Sequence, residues 1–178
     1  MSQALKATFK HVGIHVMDLD TMQQFYQRWF GLVKTDGGMG PSGGGVFLSS
    51  DPAEHHQIVF VVGREPNTKS ILNQLSFQVK DLPTLKGYYK LAQEDGRTVT
   101  MIKSHGNSLS IYVLDPEGNQ MEIYCDTPWH VSQPVSLPMD LSKSDDEIMA
   151  QVEREVRANP TFMTREAWTN KVAQQMAG

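Results

Sequence analysis

A chain of 178 residues with 39% hydrophobic content is long enough to bury a core and too apolar to stay disordered. Its formal net charge of −4 supplies no basic footprint for nucleic acid or an anionic membrane surface. No apolar run approaches the roughly 18 residues of a membrane span, and the opening Met-Ser-Gln-Ala-Leu-Lys lacks the apolar stretch of a secretory leader. The single cysteine, Cys125, excludes an internal disulfide, so the expected location is cytoplasmic.

The chain opens with a strand over residues 9–17, where Val12, Ile14 and Val16 alternate with His11, Gly13 and His15. A helix follows, with Leu19, Met22, Phe25, Tyr26 and Trp29 on one face; Asp18 or Asp20 caps it and Gly31 ends it. Strands are predicted near 31–36, 45–50 and 55–63, with GGMGPSGGG (37–45) read as a mobile loop. That stretch lacks the Lys-Ser/Thr ending of a phosphate loop.

The pattern then starts again. HVGIHVMDLDTMQQFYQ from His11 aligns without a gap, at an offset of 63, with QLSFQVKDLPTLKGYYK from Gln74. Val16, Asp18, Leu19, Thr21 and Tyr26 match Val79, Asp81, Leu82, Thr84 and Tyr89. The second strand sets Leu75, Phe77 and Val79 against Gln74, Ser76 and Gln78. Its helix carries Leu82, Leu85, Tyr89 and Ala92, with Pro83 in the first turn and Gly96 at the end. Strands near 97–103, 108–114 and 119–125 complete a second βαβββ unit, with DPEGN (115–119) as a turn. The expected architecture is α+β, two βαβββ modules (about 8–63 and 71–126, together a domain over 1–126). Their uncovered faces would form a cup lined by His11, His15, Gln74 and Gln78. Residues 127–178 do not repeat: a proline-rich strap precedes a helix opened by the capping box Ser144-Asp-Asp-Glu147, and a last helix spans Thr164 to Met176 with Trp168 and Val172 inward.

HVGIHVMDLDTMQQFYQRWFGL, NQLSFQVKDL and HGNSLSIYVLDPEGNQMEIYCDTPW (105–129) resemble the vicinal oxygen chelate group, which comprises glyoxalases, bleomycin-resistance proteins and extradiol dioxygenases. The last stretch is similar above all to type I extradiol ring-cleaving dioxygenases. The resemblance implies the glyoxalase/bleomycin resistance/dihydroxybiphenyl dioxygenase fold with a C-terminal helical extension. It also implies a divalent metal, Fe(II) or Mn(II) foremost and Ni(II) or Zn(II) for a glyoxalase-type lyase or isomerase.

By the same resemblance the metal ligands fall at His11, Gln74 and Glu122. Gln74 departs from the histidine usual there, and Gln57 takes a fourth, glyoxalase-type position. His56 resembles the acid/base histidine beside the oxygen site, although strand parity sets His55 on the Gln57 face. His105 resembles a pocket histidine, and Tyr112 the tyrosine that bonds a catecholate oxygen. The expected function is extradiol-type cleavage of a small aromatic or vicinal-diol substrate by a homodimer, with no nucleic-acid or membrane partner. The alternatives are metal-free sequestration of bleomycin-resistance type, a lyase or isomerase, or a noncatalytic subunit. Cys125 reads as a packed thiol, and Trp29, Trp129 and Trp168 as packing residues.

Overall fold

The computed structural model describes residues 7–41 and 43–177. The N-terminal six residues, Ser42 within the glycine-rich stretch and Gly178 lie outside the described residues. Contacts divide the chain into two units. One runs through Ile71 and includes Asp115–Gly118; the other holds Leu72–Leu114 and everything from Asn119 onward.

The first unit contains β1 (Val12–Val16), α1 (Leu19–Phe30), β2 (Val33–Gly40), β3 (Gly43–Ser49) and β4 (Ile58–Val62). Its sheet runs β1-β4-β3-β2, with β1 parallel to β4 and the other pairs antiparallel. The amphipathic stripe of α1 buries Met22, Phe25, Tyr26 and Trp29, and Tyr26 meets Phe60 of β4 edge to face at 5.0 Å. Gly31 ends the helix at φ 64, a left-handed turn that a side chain rarely adopts.

The glycine-rich stretch is not a loop. It forms the facing ends of β2 and β3, paired from Gly37↔Val46 to Gly40↔Gly43. Glycine serves here because the backbones crowd: a Cβ on Gly37 would sit 2.9 Å from the Gly45 carbonyl oxygen.

The second unit contains β5 (Leu75–Gln78), α2 (Leu82–Glu94), β6 (Val99–Ser104), β7 (Ser108–Leu114) and β8 (Gln120–Asp126). The tail adds β9 (Trp129–His130), β10 (Leu137–Pro138), α3 (Asp145–Arg157), β11 (Met163–Thr164) and α4 (Arg165–Ala177). The main sheet runs β10-β6-β7-β8-β5, with β5 parallel to β8; β9 and β11 pair separately. Within it Leu109, Ile111 and Val113 of β7 and Met121, Ile123 and Cys125 of β8 are buried on one face, where α2 contributes Leu82, Leu85 and Ala92. Strand alternation sends Ser108, Ser110 and Tyr112, and Gln120, Glu122 and Tyr124, to the other face.

The duplication holds in detail. Asp18 and Asp81 are both N-caps, accepting from Thr21 N and Thr84 N at 3.0 Å. The two units depart from one another at the turn Asp115–Gly118, which folds with the first unit. Tyr26 donates to the Asp115 carboxylate at 3.1 Å, and Glu117 accepts from Met17 N and Asp18 N at 2.8 and 2.9 Å. In the tail, the capping box of Ser144 and Glu147 forms as the sequence predicts. α3 buries Ile148, Val152 and Val156.

Candidate functional site

Glu122 is the hub of the second unit's polar face. It sits on β8 directly opposite Tyr112 of β7 and Ser76 of β5, so both flanking strands aim a hydroxyl at it. Its Oε1 accepts from Ser110 Oγ and Tyr112 OH, each at 2.8 Å. Its Oε2 accepts from Gln74 Nε2 at 2.6 Å and Ser76 Oγ at 2.7 Å. Four donors fill the roughly four acceptor positions of a carboxylate, which is what allows this side chain to be buried.

His105 follows β6 and extends the hub. Its Nδ1 lies 2.6 Å from the Val135 carbonyl oxygen, an acceptor only, so Nδ1 carries a proton. Its Nε2 lies 2.9 Å from Tyr112 OH and 4.0 Å from Glu122 Oε1. Tyr112 has one proton to give. If Glu122 takes it, Nε2 must be protonated to bond the phenol oxygen; if His105 takes it, Glu122 must carry a proton. The chain His105–Tyr112–Glu122 is thus complete only with one further proton, shared along it. Burial first, then the hydrogen bond and charge of Glu122, hold Tyr112 well above the usual phenol range, so it stays a protonated phenol.

The first unit gathers three histidines. His56 packs on His11 with ring centroids 4.2 Å apart. Its Nδ1 lies 2.9 Å from that of His55, so one ring donates and the other accepts. Phe47 stands edge-on to both His55 and His56. Burial, then the charges of His11 and His55, lower the pKa of His56. Strand parity does not decide between His55 and His56, because both precede β4. His56 is half-buried against His11, whereas His55 is exposed and faces Asp36 at 3.5 Å.

Of the residues read from the sequence, Gln74, Glu122, Tyr112 and His105 come together in the second unit, and His11 meets His56 in the first. Gln57 also belongs to the first unit, but its side-chain oxygen, the atom a metal would need, accepts from Ser50 N and Ser50 Oγ at 2.9 Å. His15 is exposed, and Gln78 donates to the Asp126 carboxylate at 2.8 Å. Ser76 and Ser110, outside the set of site residues expected from the sequence, also donate to Glu122; their signal is the strand parity they share with Gln74 and Tyr112. Cys125 is buried and its thiol is pushed up to about 11, mainly by burial, which leaves it unreactive.

Among the described residues no group of three or more His, Cys, Asp or Glu side chains is arranged to hold a metal ion. The donors around Glu122 are nevertheless hard. One carboxylate, three hydroxyls and an amide that can turn its oxygen inward suit a divalent cation of the Mn(II) type better than a soft one.

The sequence matches the family model described as Glyoxalase/Bleomycin resistance protein/Dioxygenase superfamily over residues 8–123, more than half of the chain. A comparison with curated proteins found no match. Among solved structures, the chain is similar to a glyoxylase/bleomycin resistance protein/dioxygenase domain from Frankia sp. EAN1pec, with 19% identity, TM-score 0.58, 70% of this chain and 100% of that one covered. It is similar to the fosfomycin resistance protein FosX from Listeria monocytogenes, solved with Mn(II) and sulfate, with 18% identity, TM-score 0.57 and coverage of 69% and 93%. It is also similar to lactoylglutathione lyase from Agrobacterium tumefaciens, with 17% identity, TM-score 0.51 and coverage of 67% and 94%. At these identities the likenesses establish the fold.

Proposed function

Because the chain belongs to the glyoxalase/bleomycin resistance protein/dioxygenase superfamily, we propose that it is a divalent-metal-dependent enzyme for a small, oxygen-bearing substrate. Its finest form is extradiol-type ring cleavage of a catechol. The observation that carries this reading is the Glu122–Tyr112–His105 chain, since a proton relay on a buried carboxylate exceeds what simple sequestration needs.

Glu122 and Gln74 would hold the cation within the second unit, Fe(II) or Mn(II) for ring cleavage, Ni(II) or Zn(II) for a lyase or isomerase. When bound, it would supply Lewis acidity toward two vicinal oxygens. Tyr112 orients a substrate oxygen through its hydroxyl. His105 receives or returns the proton at Nε2, because the Val135 carbonyl fixes its Nδ1–H. His56 is the first unit's proposed base: its neighbours and partial burial favour the neutral imidazole, the form that accepts a proton. A cytoplasmic homodimer completes the proposal. No helix of the described residues is long and apolar enough to cross a membrane.

A second reading, metal-free binding of an aromatic or amphipathic ligand as in bleomycin-resistance proteins, is favoured by one observation. Glu122 already has four donors and needs no cation to be buried. Protein purified without chelators, loaded anaerobically with Fe(II) and then exposed to air with a panel of catechols, separates the two. Yellow ring-cleavage product, lost in Tyr112→Phe and His105→Gln, supports the enzyme. Saturable catechol binding without turnover under Fe(II), Mn(II), Ni(II) or Zn(II) supports sequestration and ends the ring-cleavage proposal.

A further inference from the structure

The C-terminal tail lies beyond the stretch that matches the family, yet it completes a cleft. α4 has no buried residue, so core packing does not account for it. Its Arg165 and Trp168, one turn apart, line a cavity of about 150 Å³ together with His130 of β9 and Ser108, Tyr124 and Asp126 of the sheet's polar face.

Three features of this cleft are chemical. Trp168 lies nearly flat on His130, centroids 4.8 Å apart and planes 17° from parallel, which gives an aromatic wall. Arg165 is fixed from one side. Its Nε donates to Thr127 O at 2.8 Å, and its Nη2 to Asn107 O at 2.6 Å and the Asp126 carboxylate at 2.8 Å. Its Nη1 has no hydrogen-bond partner among the described residues, and neither have the hydroxyls of Tyr124 and Ser108. The two Asp126 oxygens face Arg165 and Gln78, at 2.8 Å each. Burial keeps Tyr124 a protonated donor, and burial, followed by the charges of Arg165 and Lys171, lowers the pKa of His130. Of the residues lining the cleft, Arg165 is the one cation and Asp126 the one carboxylate.

We infer that this cleft binds a small planar aromatic carboxylate. Its carboxylate would accept from Arg165 Nη1 and the Tyr124 hydroxyl, and its ring would pack against the Trp168–His130 wall. The cavity is well below the ~300–1,000 Å³ of pockets for drug-sized ligands, which limits the ligand to a single ring. Aromatic walls with one open guanidinium suit a carboxylate better than a phosphate, which calls for more cations. Binding here does not depend on chemistry at Glu122.

The test is calorimetric titration of the full chain, freed of metal by chelation, with benzoate, benzamide and inorganic phosphate. One saturable benzoate site is expected, with benzamide and phosphate each at least tenfold weaker. Arg165→Gln should weaken benzoate at least tenfold. Because Arg165 also ties down two carbonyls, Tyr124→Phe and Trp168→Leu provide variants that leave those ties intact. Each should weaken benzoate by about threefold to tenfold, the worth of one hydrogen bond or one stacking contact. No saturable heat, equal affinity for benzamide or phosphate, or wild-type affinity in both Tyr124→Phe and Trp168→Leu would overturn the assignment.

Discussion

Glu122 shows how a buried charge is made tolerable. With Glu122 ionised, each of its four contacts is charge-assisted, and such bonds contribute roughly 1.5–3 kcal/mol apiece in the folded state. Glu122→Gln keeps the shape but points an N–H at donors. It should lower stability by about 1.5–3 kcal/mol in urea unfolding at neutral pH, with turnover lost; a change under about 0.5 kcal/mol would mean that the hub does not organise the face. Tyr112→Phe removes one hydroxyl, leaves the ring in place and breaks the link to His105. It should cost about 1 kcal/mol but reduce turnover a hundredfold or more, while substrate binding changes little. Cys125 should resist iodoacetamide in the native protein at pH 8 and react at once in denaturant, since burial holds the thiol up to about 11; rapid native labelling would contradict its burial.

At the level of elements, the two N-caps repeat the same device in both units. Hydrogen bonds from Thr84 to Asp81, and from Thr21 to Asp18, lower the pKa of both carboxyls. With the folded pKa below the unfolded value, each cap stabilises above the usual aspartate pKa near 3.9, and that contribution fades as pH falls through the folded value. Asp81→Ala should therefore lower the melting temperature at pH 7, and the gap to wild type should narrow as the pH falls below the usual aspartate range. A constant gap across that range would assign the effect to something other than the ionised cap. Gly106 turns the chain from β6 into β7 at φ 78, where a Cβ would meet Val131 Cγ2 at 2.6 Å. Gly106→Ala is expected to destabilise far more than Gly87→Ala, whose site is open.

Much of this scale was readable in the sequence, because capping and strand parity are local: Asp18, Asp81, Ser144 and the alternation around Glu122 follow from neighbours a few residues away. The β2–β3 hairpin was not, because glycine signals a turn unless one knows that a facing backbone needs its space. The anchoring of Arg165 on residues 107, 126 and 127 was equally hidden, since nothing local distinguishes it from a solvated arginine.

For the whole chain, the duplication at an offset of 63 and the family match over residues 8–123 describe one history, but the tail is not a detachable addition. Trp129, Val131, Met139, Leu141, Ile148, Val152 and Val156 are all buried. Ending the chain after Asp126 should abolish cooperative unfolding, whereas ending it before α4, none of whose own residues is buried, should move the melting temperature by only a few degrees. A well-folded 1–126 fragment would show that these residues cover a surface that tolerates water.

The most direct test of the account is whether Glu122 anchors a cation. Mn(II) titrated into chelator-treated protein and followed by loss of the free-ion electron paramagnetic resonance signal should reach one equivalent per chain in the wild type and none in Glu122→Gln. No uptake by the wild type, or equal uptake by both proteins, would contradict it.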